Sequence, residues 1–185
     1  DRPNSWKRPA VQKAISALRR QAPVGLHPSV ASNSTPSILR EEKRRLEKLL
    51  GEEITHSRQH YLCLRFPHTY RALLQAGFRH DYSMGYAERP GFRASTSRPF
   101  RWYDLQREQE TDLQIHPFAL MDVSLKNHLG LSPEAGLAQA RELIREVRST
   151  GGELHTLWHN SSFYELEGWG GWKEIYEKIL QEAAQ

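Results

Sequence analysis

Short apolar runs alternate with helical patterns along most of this chain of 185 residues. The strand-like runs are Val24–His27, Ile54–His60, His80–Met84, Leu113–Phe118 and Glu153–Trp158. Helical periodicity marks Ala10–Arg20, Pro36–Leu50, Pro67–Ala76, Pro133–Ser149 and Trp172–Ala184. Strand followed by helix, repeated, predicts a mostly parallel sheet with helices packed outside it. We therefore expect an α/β fold, and the length suits a single domain over residues 1–185.

One segment, residues 86–111, breaks this alternation. It contains prolines, glycines and several aromatic residues, and we predict a long aromatic loop with one strand at Phe100–Leu105. Long ordered loops in compact domains are commonly functional. Elsewhere the helix boundaries are clear: Ser132 precedes Pro133 as an N-cap, and Gly51 and Gly151 follow helical patterns as C-terminal glycines.

Charge and cysteine content narrow the possible partners and location. The net charge is +4, and the basic residues are interspersed with acids, as in residues 40–48. This arrangement is typical of a solvated helix face, and we predict no nucleic-acid partner. The single cysteine, Cys63, lies in an apolar run, which predicts a buried thiol and fits a cytoplasmic, reducing location. No apolar stretch approaches membrane-spanning length, and the sequence leaves the oligomeric state open.

Three histidines end strand-like runs, namely His27, His60 and His159. If these strands are parallel neighbours, the imidazoles meet on one rim of the sheet, where α/β folds build their active sites. Three neutral imidazoles on such a rim could hold a divalent metal with an open coordination position. The alternative for each is a histidine that hydrogen-bonds to loop carbonyls.

Further polar residues extend this candidate site. Arg58 and His60 alternate along a strand, so they would share one face and could fix a carboxylate or a substrate oxygen. His159 could serve as a general acid, since the pKa of an unperturbed histidine is near neutrality. Asp81 and Asp122 could each orient a histidine or ligate a metal, although capping a loop is the commoner role of such residues.

The long loop and the aromatic residues supply candidate ligand contacts. Arg93 could contact an anionic or sugar ligand, and a solvent-exposed arginine is equally consistent with its position. Trp169 and Trp172 could stack on sugar rings or pack over the core as a lid, the more common arrangement. His155 shares a strand face with His159 and is interpreted as structural, and no chemistry is assigned to the remaining histidines, which are His56, His68, His80, His116 and His128.

Five short motifs follow one another in the chain: Gly25–Ser29, Ser57–Tyr61, Asp81–Tyr86, Gly91–Thr96 and Leu157–Asn160. Together they closely resemble a bacterial branch of the polysaccharide deacetylase superfamily, the NodB-homology group. The resemblance extends from about Val24 to Leu180. It implies a distorted (β/α) barrel and an enzyme that uses a divalent metal, usually zinc, to remove acetyl groups from N-acetylated sugars.

The resemblance also assigns roles to individual residues. It implies that His27 is a metal ligand, that Arg58 positions the catalytic carboxylate, and that His159 is the general acid. Asp81 falls in the aspartate-bearing motif of the family, which makes it a third candidate catalytic residue. Within or beside the same motifs, Tyr61, Arg93 and Trp158 are the candidate contacts to a carbohydrate substrate.

Two departures from the family pattern affect the expected activity. The family has a second metal-binding histidine where this chain has Ala31, and we expect His60 to substitute. The family begins with an aspartate pair that supplies the base and a ligand, and nothing before His27 matches it. The sequence therefore predicts a barrel that lacks its first strand, an N-terminally incomplete domain, and low or no activity of the chain as it stands.

Two other classes of function stay open. A non-catalytic carbohydrate-binding or scaffold protein could retain the barrel after losing the chemistry, as the Ala31 departure suggests. A basic nucleic-acid-binding protein is the third possibility, and the absence of salt-dependent binding would exclude it.

Overall fold

The computed structural model describes residues 7–165 and 168–185 of the chain. The helices are α1 (Pro9–Arg19), α2 (Pro36–Leu50), α3 (His68–Gln75), α4 (Pro133–Thr150) and α5 (Trp172–Ala183). The strands are β1 (His56–Ser57), β2 (His80–Asp81), β3 (Phe100–Asp104), β4 (Gln109–Ile115), β5 (Phe118–Met121) and β6 (His155–Leu157). Each helix predicted from the sequence is present, with ends that differ from the prediction by at most one residue.

The strands form two sheets. One has the order β1-β2-β4-β3, and its β1 and β2 run parallel with His56 opposite His80. The other consists of β5 and β6, also parallel, with Met121 opposite Leu157. Within the described part of the chain these sheets do not close into a barrel. Strands of two or three residues supply too few ladder hydrogen bonds to close one, so the fold is mixed α/β with partial sheets.

The strand boundaries differ from the prediction around Pro117. The predicted run Leu113–Phe118 is divided between β4, which ends at Ile115, and β5, which begins at Phe118. Proline has no backbone N–H to donate to a ladder, which accounts for the break. β4 also begins at Gln109, inside the predicted loop, because its first residues are polar and exposed and therefore lack an apolar pattern.

The chain divides into two compact units. The first contains the described residues up to Asp81 together with Asp104–Leu113, and the second contains Tyr82–Tyr103 and Gln114–Gln185. In the first unit, Arg71 donates from Nε and Nη2 to the two carboxylate oxygens of Asp104 at 2.7 and 2.8 Å. This paired geometry ties α3 to the end of β3.

The core of the second unit lies between the sheet of β5 and β6 and the helices α4 and α5. Its buried members are Ala119, Leu120, Leu125, Leu137, Ala140, Leu143, Trp169, Trp172, Ile175 and Ile179. Trp172 is 1% exposed and Trp169 is 8% exposed. Of the two arrangements that the sequence allows, these indoles therefore adopt packing against the core. Burial of such large aromatic surfaces is a major source of stability for the unit.

Helix ends follow the predicted chemistry at several positions. The Ser132 hydroxyl accepts a hydrogen bond from the Ala135 N–H at 3.3 Å and caps α4. Gly51 and Gly151 adopt left-handed conformations with φ of 72° and 62°, as C-terminal glycines do. No helix among the described residues is both long enough and apolar enough to cross a membrane.

Candidate functional site

The first unit brings together two of the three strand-end histidines. Leu26 forms a parallel bridge with Ser57, and the Arg58 N–H donates to the Leu26 carbonyl at 3.0 Å. Just beyond this bridge, His27 Nδ1 donates to the Arg58 carbonyl at 2.8 Å. A proton on Nδ1 places the lone pair of the neutral ring on Nε2, the arrangement that metal-binding histidines use.

His60 reaches His27 by a route that the sequence did not predict. The strand ends at Ser57, so the argument that Arg58 and His60 share one strand face is wrong. His60 instead begins a short turn, His60–Leu62, in which Tyr61 and Leu62 have positive φ angles of 52° and 53°. The turn sets the His60 ring against the His27 ring, with centroids 4.7 Å apart.

These two imidazoles match a divalent metal in kind, because imidazole nitrogen is a preferred ligand of zinc and related ions. A catalytic zinc site commonly has three protein ligands. Within the described residues, no group of three histidine, cysteine or carboxylate ligands includes His27 and His60. The pair therefore supplies part of the ligand set that the resemblance implies, and position 31 is an exposed alanine in a short turn.

The other predicted residues of the first unit have different environments. Asp81 is fully buried and its carboxylate accepts a hydrogen bond from the Ser57 hydroxyl at 3.0 Å. Arg58 is half-buried, whereas Tyr61 is 67% exposed and its ring contacts the edge of His60. Cys63 is exposed, which corrects the prediction of a buried thiol. Its position after the left-handed turn, rather than in a strand, accounts for the difference.

A second pair of histidines in this unit is in ring contact. The His56 and His80 rings stack with centroids 4.5 Å apart on the paired strands β1 and β2. Burial lowers the pKa of His56 from 6.5, and the positive charge that His80 acquires on protonation lowers this pKa further. Below pH 6.5 the unfolded chain therefore binds more protons at this residue than the folded chain does.

We expect the free energy of unfolding to fall as the pH decreases below 6.5 and to stop falling, for this residue, once the lowered pKa of His56 is passed. His56→Gln removes the titrating ring and should flatten this part of the pH profile. His68→Gln, at an exposed residue of α3, is the matched control. Urea unfolding at a series of pH values measures both, and equal acid sensitivity of the two variants would contradict the prediction.

In the second unit, the carboxyl end of β5 positions a carboxylate beneath His159. Asp122 follows β5 directly and is fully buried. Its carboxylate accepts hydrogen bonds from His159 Nδ1 at 2.8 Å, from the His159 backbone N–H at 2.7 Å and from the Ser162 hydroxyl. The Val123 N–H donates to the same carboxylate at 2.7 Å.

The hydrogen bonds determine the charge of Asp122. Burial by itself raises the pKa of this carboxyl, but the hydrogen bonds from His159 and Ser162 outweigh burial and lower the pKa below 3.8. Asp122 is therefore an anion at neutral pH, held against the Nδ1 side of the His159 ring. The His159 side chain is 45% exposed, so the opposite side of the imidazole is accessible from solvent. A buried carboxylate behind an exposed imidazole is an arrangement suited to proton transfer.

The sequence alone left Asp122 with three possible roles, and in the structure its carboxylate accepts the hydrogen bond that orients the His159 ring. The reason is the parallel pairing of β5 and β6, which brings the residues after Met121 and Leu157 side by side. Trp158 is half-buried and lies against Tyr176 and Trp172, with ring centroids 4.9 and 6.3 Å away. Arg93 is exposed.

Sequence reasoning missed a third group, at the other ends of the same two strands. His116, Glu153 and His155 place ligand atoms within 4.8 Å of one another, close enough to suggest a metal-binding triad. The spacing Glu153-x-His155 is a signal for this group, because alternate residues of an extended chain share a face. The contribution of His116 depends on tertiary structure and has no comparable local signal.

Comparison with protein-family models gives no match, and comparison with curated proteins gives none either. Comparison with solved structures shows a fold similar to that of the polysaccharide deacetylases. The structure concerned is described as that of a "putative polysaccharide deacetylase from Mycobacterium smegmatis", with a TM-score of 0.67 and 16% sequence identity. The alignment covers 94% of this chain and 60% of that chain, so this chain spans less than two thirds of its neighbour. At this identity the similarity establishes the fold alone.

Proposed function

We propose that the protein is a hydrolase of the carbohydrate N-deacetylase class, with His159 as its general acid. The observation that supports this most directly is the hydrogen bond from His159 Nδ1 to the buried carboxylate of Asp122. The similarity of fold to a protein described as a polysaccharide deacetylase adds the substrate class.

In the proposed reaction, Asp122 keeps the His159 ring in one orientation and one tautomer. Because Asp122 is an anion, it also stabilises the positive imidazolium form of His159. Water adds to the acetyl carbon and loses a proton to solvent, and the imidazolium donates its Nε2 proton to the amine nitrogen of the sugar as the bond between that nitrogen and the acetyl carbon breaks, which leaves acetate and a free amine. Ser162 holds the second oxygen of Asp122, so the carboxylate does not rotate away from the ring.

His27 and His60 are the residues proposed to hold a divalent metal, with zinc the first candidate. A metal bound there would act as a Lewis acid and lower the pKa of a bound water. Arg58 supports this pair through its carbonyl, which orients His27. The site needs a third protein ligand. Among the described residues, no histidine, cysteine or carboxylate forms a group of three with His27 and His60.

Further predictions from the sequence stay as proposals about catalysis, substrate contacts and location. Full burial of Asp81 favours a positioning role over direct proton exchange with a substrate. Tyr61 and Arg93 are exposed and suit contacts to a sugar, whereas the packing of Trp158 against Trp172 and Tyr176 limits how much of its ring a sugar could contact. A cytoplasmic location is proposed on the single cysteine alone.

Acetate release from N-acetylglucosamine oligomers tests the proposed function. Because nothing before His27 supplies the aspartate pair of the family, we expect the purified protein, supplied with zinc, to release acetate and free amine slowly and in equal amounts, and we expect a chelator to abolish the release. Both products are measured, because release of acetate without amine would indicate an ester contaminant. Absence of both products with zinc, cobalt and manganese would reject the proposal.

A second function, non-catalytic carbohydrate binding, is favoured by one observation. Position 31 carries alanine where the family has a metal-binding histidine, so the expected ligand set is reduced. A protein of this kind would bind N-acetylglucosamine oligomers in calorimetric titration, and a chelator would leave both its affinity and its melting temperature unchanged. Binding without acetate release would select this function over the first.

A further inference from the structure

The amino ends of β5 and β6 carry a cluster of side chains that the proposed acid does not use. His116 lies two residues before β5, and His155 is the first residue of β6. Asp122 and His159 follow these strands, so the two groups occupy opposite ends of one parallel pair. A strand rises about 3.3 Å per residue, and the length of β5 therefore separates the groups by roughly 13 Å.

Glu153 lies between the two imidazoles of this cluster. Its Oε2 atom is 2.7 Å from His155 Nε2 and 3.6 Å from His116 Nδ1. The two imidazole rings meet edge to face, with centroids 5.5 Å apart and an interplanar angle of 89°. Ligands on one tetrahedral zinc lie about 3.4 Å apart, since each bond is about 2.0–2.2 Å long. The distance between Glu153 and His116 is already close to this spacing. The distance between Glu153 and His155 would need to increase by about 0.7 Å.

The cluster is built on a supported frame. The Glu153 backbone N–H donates to the Ser97 carbonyl at 2.9 Å, which fixes the residue next to Gly152. A Cβ at Gly152 would lie 1.9 Å from the Ser97 hydroxyl oxygen, so these two segments of the chain approach each other at a distance that only glycine allows. The Tyr82 ring stacks on His116 with centroids 4.5 Å apart and touches the edge of His155.

We propose that His116, Glu153 and His155 form a binding site for a zinc-like divalent transition metal, separate from the His159 end of the strands. Two imidazole nitrogens and one carboxylate oxygen are a ligand set that zinc accepts, with water as the fourth ligand. The same set is poor for magnesium, which prefers oxygen ligands in an octahedron. A metal here would link the segment before β5 to the segment before β6 and would stabilise the folded second unit.

Zinc stoichiometry of the full chain tests the site. The unaltered protein, the single variants Glu153→Gln and His155→Gln, and the double variant His27→Gln/His60→Gln are dialysed against zinc and analysed for bound metal. We expect each single variant to lose one zinc per chain and the double variant to keep that zinc. Magnesium in place of zinc should bind to none of them at this site.

The variants are chosen so that a failure to fold does not obscure the result. The Glu153 side chain is 51% exposed, and replacement by glutamine retains its size, so the fold should persist. Far-ultraviolet circular dichroism and the melting temperature without zinc verify this. Zinc should raise the melting temperature of the unaltered protein and of the double variant, and it should raise that of Glu153→Gln by less than that of the unaltered protein, since Glu153→Gln retains only the proposed His27 and His60 site. An equal zinc content in Glu153→Gln and the unaltered protein would overturn the proposal, as would a double variant that binds no zinc.

Discussion

Replacement of Asp122 by alanine is expected to lower the free energy of unfolding by about 3 kcal/mol, since each buried donor left without a partner costs about 1–3 kcal/mol. The lost acceptor serves the Ser162 hydroxyl, the Val123 N–H and two N–H groups of His159. Ser162 is fully buried, so water does not readily replace the carboxylate there. Asp122 joins the segment after β5 to the segment after β6, and the substitution removes all of these hydrogen bonds together.

Urea unfolding followed by circular dichroism and tryptophan fluorescence measures this effect. Both probes are needed because a chain with two compact units need not unfold in one step. Asp112→Ala, at an exposed aspartate of β4, is the matched control and should change stability by less than about 0.5 kcal/mol. A midpoint for Asp122→Ala equal to that of the control would show that the carboxylate does not support the fold.

Asp122→Asn separates the charge of this residue from its shape. Because the folded pKa of Asp122 lies below 3.8, the unfolded chain binds more protons at this residue as the pH decreases below 3.8. The stability that the carboxylate contributes is thus present above pH 3.8 and is lost as the pH falls through the folded pKa. The asparagine variant should lack this part of the acid dependence while retaining an oxygen acceptor.

The helices of this protein are predictable from local sequence, because their signals are local. Ser132 caps α4 and Gly51 ends α2 through contacts within a few residues of themselves. Leu137 and Ile144 show the helical spacing in the sequence and are buried on one side of α4. These features depend on backbone conformation and on the apolar stripe, both of which the sequence displays directly.

The strands and the closure of the sheet are harder to predict. β1 and β2 contain two residues each, too few for a period-two pattern to be recognised. Pro117 divides what reads as one apolar run into the end of β4 and the start of β5. The motif resemblance predicted a barrel, whereas the described residues form two partial sheets.

The candidate site was predictable to the extent that strand ends mark it. His27, His60 and His159 were selected because each follows an apolar run, and His27 and His60 are in ring contact. The partner of His159 could not be chosen between Asp81 and Asp122 from the sequence. That choice depends on which strands are neighbours, and the pairing of β5 with β6 is a tertiary contact between residues more than 30 positions apart. The proximity of His116 to His155 depends on the same pairing, so it too could not be predicted from local sequence.

Replacement of His159 by glutamine is expected to reduce kcat for deacetylation by about 10²–10⁴, the usual contribution of a positioned general acid. An amine is a poor leaving group unless it receives a proton. The substitution should therefore lower kcat more than it raises KM. Glutamine retains an N–H donor for Asp122, and the side chain of His159 is 45% exposed. Stability should therefore change by less than about 1 kcal/mol.

The pH dependence identifies the role of His159 more sharply than the rate alone. A general acid acts when protonated, so kcat of the unaltered protein should fall at high pH, and His159→Gln should lose that limb of the profile. Asn160→Ala, at the exposed neighbouring residue, is the control that should keep it. Added imidazole should partly restore the activity of His159→Ala, since a free imidazole can enter the space and donate the proton. A His159→Gln enzyme with unchanged kcat and an unchanged pH profile would remove His159 from the mechanism and leave Asp122 with a structural role only.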